Sequence, residues 1–83
     1  MDRNDHIEGL KGHYIEEIQE ALKESKHDQG RNVNYAKLND KILFSWKNAH
    51  IEGVDLNTFV DWIGDAIPEH IENLDIVKIK NAA

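Results

Sequence analysis

Tyr35, Leu38, Ile42, Trp46 and Ala49 recur at steps of three, four, four and three. At about 100° per residue this spacing lines the five apolar side chains along one face of a helix, whereas a half-buried strand would alternate every second residue. A second stripe of the same kind runs through Ile7, Leu10, Tyr14, Ile18, Ala21 and Leu22, with Ile15 on its shoulder. Gly9 and Gly12 fall on the opposite face, where they lower helix propensity but leave the stripe intact. Each helix therefore has one face to bury, and the partner that can cover it is another helix.

The boundaries follow from local chemistry. Asn4 or Asp5 suits the start of the first helix, and Lys23 and Lys26 suit the negative end of its dipole. The polar stretch from His27 to Asn34, with Gly30 inside it, reads as a connection. Asn34 is placed to cap the second helix, with Val33 before it as a staple. Gly53 marks the next turn. Leu56, Phe59, Val60, Ile63 and Ile67 then form a third stripe, and Thr58 with Asp61 resembles a capping box at its start. Pro68 ends that helix and is placed to open a short fourth one. Val77 and Ile79 alternate with Lys78 and Lys80, the pattern of an extended tail.

The expected fold class is all-α: one domain over residues 1–83, a small antiparallel bundle of three to four helices at about 5–26, 35–50, 57–67 and 68–75. Residues 76–83 read as helix, strand or tail. With 83 residues, of which 40% are hydrophobic, the core is thin and association would complete it. No apolar run approaches the roughly 18–20 residues of a membrane span. The opening Met-Asp-Arg-Asn-Asp-His lacks the apolar segment of a secretion signal. The absence of cysteine fits a reducing compartment, so a cytoplasmic location is expected.

The net charge of −6 is unevenly laid out. Residues 23–47 carry a local +3, while residues 48–77 carry seven acids and neither Lys nor Arg. The acidic segment speaks against phosphate contact, and a helix-turn-helix would have to place Asp61 and Asp65 in the groove. Lys37, Lys41 and Lys47 of the second helix form the weaker alternative, a basic face for nucleic acid. Asp61 and Asp65, four residues apart on the outer side of the third helix, read as a solvated face screened by the second-helix lysines, or as an acidic surface for a basic partner.

Two aromatics stand off their stripes. Phe44 points nearly opposite to Tyr35, Ile42 and Trp46, and Trp62 flanks Phe59 and Ala66. Each is either covered by another element or free to contact a partner. Catalysis has little to build on: neither Ser25 nor Ser45 lies in a nucleophile turn, and no phosphate-binding loop is present. His13 with Glu16 or Glu17 is a helical pair without the second Glu-x-x-His motif that a carboxylate-bundle metal site requires. His-Ile-Glu occurs at His6, His50 and His70, but the flanking residues do not repeat. The reading is a non-enzymatic, metal- and cofactor-free module that binds a protein partner or itself, with Phe44, Trp62, Asp61, Asp65, Glu69 and Glu72 as candidate contacts.

Overall fold

A computed structural model describes residues 3–82; Met1, Asp2 and Ala83 lie outside the described residues. The chain is mostly helical. Helix α1 (Arg3–Ser25) leads into a short hairpin, β1 (Lys26–His27) and β2 (Asn32–Val33). Helices α2 (Tyr35–Ile51) and α3 (Leu56–Ala66) follow, then a 3-10 helix (Pro68–Asn73) and α4 (Asp75–Ala82). No helix among the described residues is long and apolar enough to cross a membrane.

The described part of helix α1 runs from Arg3, so Asn4 and Asp5 fall within its first turn. Its stripe is buried at Tyr14, Ile18 and Ala21, with Ile7, Leu10, Ile15 and Leu22 packed at the margin. The last turn closes on Ser25, whose buried hydroxyl donates to the Ala21 carbonyl at 2.7 Å while its own carbonyl accepts from the Asn34 N–H at 2.8 Å.

The connection expected after α1 is an antiparallel hairpin, with Lys26 opposite Val33 and His27 opposite Asn32. Its tip holds Asp28, Gln29 and Gly30 at φ of 55°, 59° and 84°. Bonds from Gly30 N–H to the His27 carbonyl and from Arg31 N–H to the Asp28 carbonyl close the turn. A left-handed conformation is costly for a residue with a side chain, but Asp is among those that tolerate it. Here the Asn32 amide also donates to the Asp28 carboxylate.

Asn34 caps α2 as expected, its Oδ1 accepting from the Lys37 N–H at 3.2 Å. The helix ends in a Schellman arrangement: Gly53 sits at φ 97°, its N–H donates to the His50 carbonyl, and the Val54 N–H donates to the Ala49 carbonyl. Val54 follows directly and is almost fully buried. A left-handed residue followed by a buried apolar one thus turns the chain back onto α2 and feeds α3 into the core.

Helix α3 is capped by Asp55, whose Oδ1 accepts from the Thr58 N–H at 2.8 Å. The Thr58–Asp61 box is therefore a misplacement by three residues. Thr58 receives the cap and does not supply it, because Asp55 already stands three positions before it. Pro68 does end α3, but the segment after it is a 3-10 helix and not a full α-helix. Ile71 of that segment packs over Gly64, where an added Cβ would lie 3.4 Å from Ile71 Cδ1.

The C-terminal segment is helical, not extended. Leu74 and Ile76 are buried, and Asn39 Oδ1 on α2 accepts from the Asp75 N–H at 2.8 Å, capping α4 from across the fold. That cap satisfies one of the backbone donors a helix start leaves unpaired. The core unites Tyr14, Ile18, Leu38, Ile42, Phe59, Ile63, Leu74 and Ile76 with smaller neighbours. Helix α1 packs on α2 and α3, and α4 closes against the same two helices.

Candidate protein-binding groove

The outer seam between α1 and α2 is left open as a groove of about 350 Å³, lined by Glu17, Glu20, Ala21, Glu24, Asp40, Lys41, Phe44 and Ser45. Glu17, Glu20 and Glu24 stand at i, i+3 and i+7, so they share one line along α1. Asp40, Lys41 and Phe44 form the α2 wall. Ala21 and Ser45, both buried and small, line the seam between these walls.

The polar groups of this seam are partly spent on each other. The Ser45 hydroxyl donates to Glu17 Oε1, and the other Glu17 oxygen lies 3.2 Å from His13 Nε2. Lys41 Nζ reaches across to Glu24 Oε2 at 2.8 Å. The hydrogen bond and charge of Lys41, with a smaller contribution from Lys37, hold the Glu24 carboxyl below the usual glutamate range. Lys41 is the one cation among the groove's lining residues, against four carboxylates. The acidic face continues along α1 through Glu16 and Glu20 beside His13 and Lys23.

Phe44 is 65% exposed at the lip of this groove. Ile51, seven residues further and 75% exposed, lies on the same side of α2, where Lys37 and Lys47 also face solvent. Ile79 on α4 is the third large apolar side chain left open.

Trp62 is not a surface contact. It is 4% exposed, stacked on Tyr14 with ring centroids 5.9 Å apart and planes 16° apart, and next to Phe59. Helix α1 crosses over its side of α3 and covers it, which the position of Trp62 on its own helix does not reveal. Tyr14 in turn donates its hydroxyl to Glu52 Oε2 at 2.7 Å. Burial first, then that bond and the charges of Glu52 and Glu17, raise the Tyr14 phenol far above its ordinary value.

Asp61 and Asp65 are exposed on α3, and Glu69 and Glu72 on the 3-10 helix; none of the four lines the groove. The expected screening by second-helix lysines is replaced by other pairs. Asp65 meets Lys11 of α1 at 3.3 Å, and Lys41 turns to Glu24. Of the groove's lining residues, Glu20, Glu24 and Asp40 are not among the candidates the sequence offers, Glu17 is read there only as a partner of His13, and Ser45 only as a rejected nucleophile. Their signal was present in the three-and-four spacing of the glutamates, opposite the helix on which Phe44 faces outward.

Both serines are buried and committed, Ser25 to a backbone carbonyl and Ser45 to Glu17. Among the described residues no group of three or more His, Asp or Glu side chains is arranged to hold a metal ion. His70 is occupied by the Tyr35 hydroxyl, 2.9 Å from its Nδ1. Comparison with family models, curated proteins and solved structures finds no match for this chain.

Proposed function

We propose that this chain is a single-domain, acidic helical-bundle module that acts by binding another protein and carries out no chemistry of its own. The observation that carries this reading is Phe44: a large aromatic held open on a regular helix, at the lip of a groove with acidic walls. Exposed aromatic anchors beside a concave surface are the usual energetic centre of a protein interface. The commitment of both serines to structural hydrogen bonds supports the non-catalytic part. The basic-helix alternative is weakened at Lys41, which is engaged by Glu24 with glutamates across the seam, and is left with Lys37 and Lys47, which face solvent.

The test is capture of the native partner by the intact chain. Phe44→Ala is expected to abolish capture, whereas reversal of Asp61 and Asp65 to lysine leaves most of it. Capture lost only on that reversal would move the acting surface to α3. Capture indifferent to both changes would remove the interface reading.

A further inference from the structure

We infer that the occupant of the α1–α2 groove is a basic amphipathic helix of a partner protein, which seats an apolar side chain against Phe44 and its Lys or Arg residues along Glu17, Glu20 and Glu24. This inference rests on the protein-binding reading above and names the chemistry of the partner. Charge selects the sign. Four carboxylates line the groove against one lysine, and that lysine is already held at 2.8 Å by Glu24. The whole chain carries −6, which disfavours a nucleic acid or an anionic membrane at this seam, whereas a basic segment is attracted to its carboxylates; a second copy is tested by sedimentation.

Geometry selects the helix. The groove is walled by two helices, whose backbone groups are used internally. An extended segment lying in it would find no backbone partners on these helices and would depend on water for its N–H and C=O groups, whereas a helix satisfies its own. From Glu17 to Glu24 the acidic line spans seven residues, about 10 Å at 1.5 Å per residue, and cations repeating every three or four positions on a partner helix meet it in step.

The Lys41–Glu24 pair gives the inference a distinctive consequence, since it spans the seam and competes with any incoming cation. The experiment is fluorescence anisotropy of the intact chain with a labelled peptide of about 15 residues, long enough for appreciable helix, carrying one leucine face flanked by lysines and arginines. A peptide of the same composition with its faces scrambled is the control.

The amphipathic peptide is expected to bind, more weakly as salt rises and the Debye length shrinks to several ångströms. Phe44→Ala should weaken it about tenfold or more, the loss that truncating a central aromatic anchor brings. Glu20→Lys should also weaken binding. Lys41→Gln should tighten it, because Glu24 is released and the seam loses its cation. Phe44 and Glu20 are exposed, so circular dichroism of both variants should match the parent.

Equal binding of the scrambled peptide, indifference to Phe44→Ala, or weakening by Lys41→Gln would each overturn the inference. Sedimentation of the chain alone supplies a further arm: self-association abolished by Phe44→Ala would put a second copy in the groove and overturn it. If the peptide fails while Phe44→Ala still abolishes native capture, the basic-helix occupant falls and the protein-binding reading stands. If native capture also survives Phe44→Ala, both fall.

Discussion

Phe44 and Trp62 hold equivalent places, off the main apolar stripe of their helices, yet lie in opposite environments. Trp62 is stacked on Tyr14 and enclosed; Phe44 stands 65% open. The difference lies in the neighbours. Helix α3 is contacted by α1, α2, the 3-10 helix and α4, so an off-stripe position such as Trp62 meets another element, while Asp61 and Asp65 stay at the surface. Helix α2 also packs against several elements, but its outer side borders only the seam with α1, whose facing residues there are glutamates. Periodicity within one helix thus locates the stripe, while the number and placement of neighbours decide what happens at its shoulder.

The sharpest way to break this comparison is to truncate both residues. Trp62→Ala removes a buried ring from the aromatic cluster of Tyr14, Phe59 and Trp46 and is expected to cost about 3–5 kcal/mol in denaturant unfolding. Phe44→Ala should stay within about 0.5 kcal/mol, the ordinary range for a surface change. Comparable losses at the two sites would mean that Phe44 is covered in solution.

The next prediction tests how Trp62 is enclosed. Tyr14 presents one face to Trp62 and ties its hydroxyl to Glu52. Tyr14→Phe keeps the stacking and loses the hydrogen bond, for an expected cost of about 1 kcal/mol. It also changes the alkaline limb. Below the ordinary tyrosine value of 10.0 both folded and unfolded chains hold the phenolic proton, and the contribution of Tyr14 is complete. Above that value the unfolded chain ionises while folded Tyr14 stays protonated, so stability falls as pH rises. Unfolding titrations above pH 10 should show a steeper decline for the parent than for Tyr14→Phe, and parallel curves would contradict burial of this hydroxyl.

Much of the architecture was legible because it depends on local rules. The stripes of α1, α2 and α3 need only periodicity, Asn34 needs only its own side chain within one turn, and Gly53 needs only its freedom at positive φ. What was not legible depends on contacts distant in sequence. Val77 and Ile79 alternate with lysines like a strand, yet α4 is held by Asn39, 36 residues away, and by burial of Leu74 and Ile76. The hairpin escaped because two-residue strands carry no period, and its turn puts Asp28 and Gln29 in a conformation their residue types do not announce. The candidate site divided in the same way. Outward Phe44 was readable from one helix, but the seam beside it exists only once α1 and α2 pack.

Helix α3, which carries Trp62 inward, is oriented at its start by the Asp55 cap. The backbone and side-chain hydrogen bonds of Thr58 lower the Asp55 carboxyl below its ordinary 3.8. A group lowered on folding contributes stability that is complete above its unfolded value and is lost as pH falls through the folded one. Asp55→Ala should therefore cost about 1 kcal/mol near neutrality. The gap to the parent should close below pH 3.8, which thermal melts across that range would reveal. A gap independent of pH would assign the loss to something other than the charged cap.

The smallest effect belongs to the groove side. Glu24 is also lowered, by Lys41, but the pair lies at the open seam, where water and salt screen it. Glu24→Gln should therefore leave the melting midpoint unresolved from the parent at physiological salt and shift it slightly downward only at low salt. That near-silence separates the two regions most clearly. The polar groups around Trp62 are bound into the fold, so altering them changes stability. Those around Phe44 hold each other loosely, so the same kind of change leaves the fold intact and alters what the seam can receive. A clear destabilisation by Glu24→Gln at physiological salt would reverse this assignment, making the Lys41 bridge part of the α1–α2 packing and closing the groove to a partner's cation.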